Sequence, residues 1–134
     1  MEHKVTEYSA GCLAYMGDAV FELHVRNMLL KDGGRPVHAL NKQARQYVSA
    51  PAQAAMYHHI QPLLTDEERL VMKRGRNLHS ASKAKNADTS DYRHATGLET
   101  LFGYLFLKNE HQRILEVFNL CVDTKQIKEK MTSG

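Results

Sequence analysis

The sequence predicts an all-α protein with a single domain. Apolar residues recur every three or four positions along most of the chain, as in helices that bury one face. We find no run that alternates apolar and polar residues like a strand, and no repeat or linker. The 134 residues are typical of one domain. A chain of that size buries roughly two-thirds of its unfolded surface, enough for a core without disulfides.

The composition excludes several classes of protein. With 43% apolar residues, 25% charged residues and a mean hydropathy of -0.49, the chain is typical of a soluble globular protein and has no membrane span. The N-terminus does not resemble a signal peptide. We therefore expect Cys12 and Cys121 to be free thiols in a reducing cytoplasm. The net charge of +3 is too small to indicate nucleic-acid binding by itself.

The first half of the chain predicts three helices. One long helix ends at the sequence Asp-Gly-Gly of residues 32–34, which is a common helix stop. Pro36 suits the first turn of the second helix. Ser49 is the expected N-cap of the third helix, and Pro62 ends it.

The second half predicts three more helices and one long loop. Residues 65–68 predict a capping box at the start of the fourth helix. The stretch 75–91 has little periodicity and many small or polar residues, which favours a loop. A helix resumes near Tyr92, and a last helix follows. The tail 125–134 is polar and is expected to fray, leaving a folded domain over residues 1–124.

Many familiar catalytic patterns are missing from the sequence. There is no Gly-rich phosphate loop, H-E-x-x-H, C-x-x-C or G-x-S-x-G motif. None of the eight histidines forms the E-x-x-H pair of di-iron bundles. We expect most of them to be surface residues.

The first predicted helix carries a stripe at steps of four residues: Ala14, Asp18, Glu22 and Arg26. The ordinary interpretation is a solvated face with a Glu22–Arg26 ion pair, worth a few tenths of a kcal/mol. Gly17 does not fit that interpretation, because glycine within a helix costs about 1 kcal/mol relative to alanine. A close approach by another backbone would explain it.

The same pairing of an acid with a helix glycine recurs at Glu99 and Gly103. We expect two helices to cross closely there and to bring Asp18 near Glu99. Two like charges held together are unfavourable unless a proton or a cation lies between them. Mg²⁺ binds one or two carboxylates together with waters and phosphate oxygens, and such sites hydrolyse phosphodiesters by activating water.

The two segments resemble motifs of the ribonuclease III family. LAYMGDAV at 13–20 is similar to its signature L-E-F-L-G-D-A-V, and ETLFGYLFL at 99–107 is similar to its second motif, E-A-L-I-G-A-x-Y-L. The order and separation also match, and the resemblance spans nearly the whole chain. The chain stops where a ribonuclease III would begin its double-stranded-RNA-binding domain. That feature, with KRGRN at 73–77, KNAD at 85–88 and YR at 92–93, resembles the Mini-ribonuclease III subgroup.

The resemblance implies an all-helical endoribonuclease domain that acts as a homodimer on double-stranded RNA with Mg²⁺. Each subunit is expected to cut one strand and to leave a 5′ phosphate and a 3′ hydroxyl. The subgroup matures the ends of large-subunit ribosomal RNA precursors, so ribosomal RNA processing is the expected role. Asp18 matches the family's catalytic aspartate and Glu99 its metal-binding glutamate, so both are expected catalytic residues and metal ligands.

The chain departs from the family pattern at two acids, whose positions hold Ala14 and Thr96. The number of metal ions therefore stays open, and water or RNA phosphate could fill the vacant ligand positions. The departure also supports an alternative function, a non-catalytic module that binds structured RNA or a ribosomal particle. The presence of both Asp18 and Glu99 favours the enzyme, since a pure RNA binder gains nothing from two acids that repel phosphate.

A basic cluster surrounds the predicted loop. For an arbitrary protein it would be a solvated, mobile segment. Because this loop directly precedes the helix of Glu99, we expect its cations to contact the phosphate backbone of RNA with little sequence preference. The expected RNA-binding residues are Lys73, Arg74, Arg76, Lys83, Lys85 and Arg93.

Apolar residues near the two motifs are expected to form the core and a dimer interface rather than a ligand pocket. They are Tyr15, Met16, Val20, Phe21, Leu101, Phe102 and Leu105.

Overall fold

The computed structural model describes residues 4–78 and 89–133. These residues form six α-helices and two short 3-10 turns, without a strand, which confirms the predicted all-α class. The helices are α1 (Ala10–Lys31), α2 (Val37–Val48), α3 (Ala50–Ile60), α4 (Asp66–Arg76), α5 (Thr89–Leu107) and α6 (His111–Ser133). In the described part of the chain, none of these helices has the length and apolar character needed to cross a bilayer.

Side chains at the helix starts act as the sequence predicts. The Ser49 hydroxyl accepts a hydrogen bond from the Ala52 amide at the start of α3. The capping box at α4 is complete, because the Thr65 hydroxyl accepts from the Glu68 amide and the Glu68 carboxylate accepts from the Thr65 amide. These bonds satisfy donors that would otherwise be unpaired in the first turn.

The predicted loop over 75–91 is wrong at both ends. Helix α4 continues through Gly75 to Arg76, and α5 begins at Thr89, three residues before Tyr92. Gly75 lies in α4 at the point where α5 packs against it. A Cβ at this position would overlap the Thr100 hydroxyl, which explains the glycine. A glycine that allows helices to pack was therefore interpreted as a loop residue.

The last helix, α6, includes residues 125–133 in its backbone. The extent of the folded domain over residues 1–124 and the fraying of the tail 125–134 stay predictions.

Helix α5 forms the centre of the fold and packs against α1, α3 and α4. The Phe102 ring of α5 packs edge-on against Phe21 of α1, with ring centroids 5.3 Å apart, and Phe21 also meets Phe118 of α6. Of the apolar residues expected in the core and a dimer interface, all from α5 and both Val20 and Phe21 are buried. Tyr15 is not in the core: its side chain is 83% exposed, because it lies on the outer side of α1.

A buried ion pair joins α4 to α6. Glu68 is buried, and both of its carboxylate oxygens accept hydrogen bonds from the Arg113 guanidinium at 2.8 Å. The bidentate geometry satisfies the buried carboxylate, which would be costly without a partner. Cys12 and Cys121 are both free thiols, as predicted.

Candidate active site

The site is built where α1 crosses α5 at two glycines. A Cβ on Gly17 would overlap the Glu99 carbonyl oxygen and lie 2.7 Å from the Gly103 nitrogen. A Cβ on Gly103 would overlap the Leu13 carbonyl oxygen. The two helices therefore touch backbone to backbone and run antiparallel, which confirms the close approach predicted from the two glycines.

This crossing brings Asp18 and Glu99 together. Asp18 is exposed and Glu99 is half-buried, and their carboxyl groups are joined by a hydrogen bond. Burial, followed by the charge and the hydrogen bond of Asp18, raises the pKa of Glu99 to about 8. Two carboxyl groups this close are unfavourable when both are ionised, so Glu99 keeps its proton at neutral pH when no cation is bound.

The two acids fit a Mg²⁺ site. A divalent cation can replace the proton on Glu99, since its positive charge offsets the burial and the repulsion from Asp18 that raise the pKa of Glu99. Among the described residues, no group of three or more His, Cys, Asp or Glu side chains converges on a metal position. Two carboxylates match the chemistry of Mg²⁺, which keeps several waters and takes phosphate oxygens from a substrate.

Nearby polar residues do not replace the acids that the resemblance leaves vacant. Ala14 has no polar group, and the Thr96 hydroxyl donates a hydrogen bond of 3.0 Å to the Tyr92 carbonyl of its own helix. Glu22 forms the expected ion pair with Arg26 at 2.8 Å.

One residue at the site was missed by sequence reasoning. Gln53 of α3 is only 3% exposed and hydrogen-bonds Glu99. Its bond lowers the pKa of Glu99, so the amide donates to the carboxylate. The only sequence signal was a polar residue on the otherwise apolar face of α3.

The predicted RNA-binding cations lie at the ends of two packed helices. Lys73, Arg74 and Arg76 belong to the last turns of α4, and Arg93 is exposed in the first turns of α5. Arg93 precedes Glu99 by six residues, or about 9 Å along the helix axis. The predicted contacts Lys83 and Lys85 lie outside the described residues.

Two of these cations have partners within the chain. The Arg74 guanidinium donates to the Tyr8 carbonyl at 3.5 Å. Arg76 donates to the Asn77 side chain at 3.2 Å and also hydrogen-bonds Tyr57. Lys73 and Arg93 are therefore the more informative positions for testing RNA contacts.

We expect the metal-free protein to lose stability as the pH rises from about 5 to about 8. Glu99, whose pKa is about 8, keeps its proton in the folded state, whereas the unfolded carboxyl releases it near 4.5. The folded state then binds more protons, so stability falls with rising pH. Glu99→Gln should remove this pH dependence. At pH values above 8 its Tm should be higher than that of the wild type, by roughly 4 °C for each kcal/mol of unfolding free energy that is recovered.

Thermal unfolding in EDTA across this pH range measures the effect. Glu22→Gln is the matched control, because it removes an acid one turn from Asp18 that is paired with Arg26. A Glu99→Gln protein with the same pH dependence as the wild type would contradict the role assigned to this carboxyl group.

Known proteins resemble this chain in both sequence and structure. The sequence model of the Ribonuclease III domain matches residues 12–110. Mini-ribonuclease 3 of Symbiobacterium thermophilum is 44% identical over 111 residues, covering 83% of this chain and 85% of that protein. Mini-ribonuclease 3 of Clostridium tetani is 46% identical over 112 residues, covering 83% and 74%. A crystal structure of a protein from Fusobacterium nucleatum matches with a TM-score of 0.80 and 27% identity, covering 92% of this chain and 99% of that one.

Proposed function

This chain belongs to the ribonuclease III family and is an endoribonuclease, and on that basis we propose that it cuts double-stranded RNA at a Mg²⁺ site formed by Asp18 and Glu99. The observation that carries the proposal is the hydrogen-bonded pair of carboxyl groups held at the α1–α5 crossing. The non-catalytic alternative has no observation in its favour beyond the two missing acids at Ala14 and Thr96.

The chain's own residues have distinct parts in this reaction. Asp18 is exposed and would hold the cation on the side open to RNA, whereas Glu99 is half-buried and must release its proton when the cation binds. When bound, Mg²⁺ supplies activation of water and neutralises charge on the departing oxygen. Water adds to phosphorus, the bond to the 3′ oxygen breaks, and the products carry a 5′ phosphate and a 3′ hydroxyl.

Cleavage of an RNA duplex labelled at one end tests the proposal. We expect cutting with Mg²⁺, none with EDTA, and little cutting of the matching single strand. Products lacking the 5′ phosphate would contradict the proposed bond cleavage. Binding of the duplex without any cutting in Mg²⁺ would overturn the proposed reaction.

The proposed natural substrate is a large-subunit ribosomal RNA precursor, processed in the cytoplasm. Its support is the resemblance of the two motifs to the Mini-ribonuclease III subgroup, and the free state of both cysteines suits a reducing compartment. A precursor transcript should be cut at discrete sites near its ends. Cutting at scattered positions equal to that of an unrelated duplex would count against this substrate.

We also propose that two copies pair through α1. Large apolar side chains are exposed along one side of this helix: Tyr15 at 83%, Leu23 at 64% and Leu30 at 59%. A symmetric pair would bury them and place two sites on one duplex, one for each strand. Light scattering at micromolar concentration should give twice the mass of the chain, and a single-chain mass would contradict the pairing.

The cations beside the site are proposed to hold the RNA backbone. Replacing Lys73 and Arg93 together with alanine should weaken duplex binding and raise the Michaelis constant for RNA. The slope of log affinity against log salt should fall by about 0.9 per lost contact, by analogy with B-DNA. Binding in EDTA at several salt concentrations measures both quantities.

Arg35→Ala provides the matched control for these two cations. Arg35 lies between α1 and α2 and is engaged with Gln43 and Asp32. Arg35→Ala removes one positive charge and the double variant removes two. An equal loss of binding free energy per charge removed would show that the effect follows net charge alone.

A further inference from the structure

A buried amide stands beside the two acids and has no part in the reaction described so far. Gln53 lies on α3, among Ala54, Met56 and Tyr57, and is 3% exposed. Burying a side-chain amide without hydrogen bonds costs roughly 1–3 kcal/mol. Its position therefore requires a partner, and Glu99 of α5 is that partner.

The packing of α3 on α5 holds this contact in place. A Cβ on Gly97 would lie 2.8 Å from the ring of Tyr57, so the two helices are close one turn away from Gln53. Among the described residues, no buried side-chain polar atom lacks a hydrogen-bond partner. The amide is thus confined by its neighbours, and the Glu99 carboxyl group is its hydrogen-bond partner.

We propose that Gln53 is a positioning residue, whose side-chain amide donates a hydrogen bond to the Glu99 carboxylate and holds it beside Asp18 to receive the divalent cation. The inference deepens the proposed function and rests on it for the identity of the cation. Three helices then meet at the site, with Asp18 from α1, Glu99 from α5 and Gln53 from α3.

The choice of an amide has a physical reason. Glu99 contacts Asp18 on one side, and no acid at Ala14 or Thr96 is present to help organise the pair. An arginine or lysine would orient Glu99 equally well, but its positive charge would repel the cation. A third carboxylate would add repulsion without donating a hydrogen bond. A neutral amide orients the ligand and changes no charge, as partners of metal ligands commonly do.

Two substitutions of similar size, Gln53→Leu and Gln53→Met, remove the amide. Binding of Mn²⁺ is measured from the electron paramagnetic resonance signal of the free ion, and Mg²⁺ dependence from duplex cleavage. We expect each variant to bind Mn²⁺ about tenfold more weakly and to need about tenfold more Mg²⁺ for half-maximal cleavage. The Michaelis constant for RNA at saturating Mg²⁺ should not change, because Gln53 is buried away from the duplex.

Thr100→Val is the matched control. Thr100 is fully buried on α5, its hydroxyl donates to the Thr96 carbonyl, and it faces Gly75 of α4 rather than the site. This variant should bind Mn²⁺ as the wild type does, whatever its Tm. The methionine variant is used if the leucine variant fails to fold, since its flexible side chain adapts to the space of the glutamine.

The outcomes separate the inference from the function on which it rests. A loss of Mn²⁺ affinity below about threefold, or an equal loss in Thr100→Val, overturns the positioning role; a larger loss confined to Gln53 supports it. If the wild-type protein binds Mn²⁺ and does not cut RNA, the proposed function fails, and the Mn²⁺ titration still decides the role of Gln53. If it binds no Mn²⁺, both proposals fall.

Discussion

Asp18→Asn is expected to lower the rate of RNA cleavage by about a thousandfold or more while the fold and RNA affinity are retained. The amide has nearly the same shape but no charge for Mg²⁺, and the charge stabilisation lost with the cation is several kcal/mol. Asp18 is exposed, so its replacement leaves the packing of α1 on α5 unchanged. Removing its charge also relieves Glu99, whose pKa should fall toward its usual range.

The measurement combines cleavage of a labelled duplex in Mg²⁺ with binding of the same duplex in EDTA. Asp32→Asn, at the other end of α1, is the matched control. Asp32 is exposed, and within the described residues its one ion pair is with Arg35 at 3.5 Å. Equal cleavage rates for Asp18→Asn and the wild type would refute the assignment of the site. Loss of binding together with cleavage would show that Asp18 supports the RNA surface instead of the reaction.

Gly17→Ala is expected to destabilise the protein strongly, and much more than the same substitution at Gly11, the other glycine of α1. Its Cβ would overlap the Glu99 carbonyl oxygen, a backbone atom that cannot rotate away, so α1 and α5 would have to separate. We expect a cost of about 3 kcal/mol or more, and a fall in Tm of roughly 10 °C. Any folded fraction should also lose Mg²⁺-dependent cleavage, because the shift moves Asp18 from Glu99.

Gly11→Ala in the same helix is the control for this substitution. A Cβ on Gly11 would meet its nearest neighbour, a Leu78 methyl, at 3.7 Å, which is ordinary contact. That variant should be as stable as the wild type or more stable by up to about 1 kcal/mol, because alanine favours the helix. Urea unfolding of both proteins measures the difference. Similar stabilities for the two alanine variants would contradict the backbone contact at Gly17.

The starts of α3 and α4 and the main pair of acids could be predicted because their signals are local. The hydroxyls of Ser49 and Thr65 cap helices within three residues of their own positions, so the chemistry is visible in a short stretch of sequence. Gly17 and Gly103 are unfavourable in isolated helices, and their presence beside acids indicated a crossing that the structure confirms. The catalytic roles of Asp18 and Glu99 stay predictions until cleavage is measured.

Other features depend on distant residues and could not be predicted in this way. Gly75 looks like a loop residue until α5 is seen against it. The sequence also does not separate core from surface among the apolar residues near the motifs, of which Tyr15 is exposed. Gln53 and Glu99 are 46 positions apart, and no periodicity links them. Their hydrogen bond exists only because α3 packs against α5 in the folded chain.

The sequence by itself determined the all-α class, the capped starts of α3 and α4 and the candidate pair of acids, because capping, periodicity and glycine cost are properties of short segments. The tertiary structure alone decided what surrounds those acids. Burial of Glu99, its contact with Asp18 and the amide of Gln53 arise from the packing of α1, α3 and α5. A pKa near 8 is a property of that packing, since desolvation and neighbouring charge depend on distances in space and not on spacing along the chain.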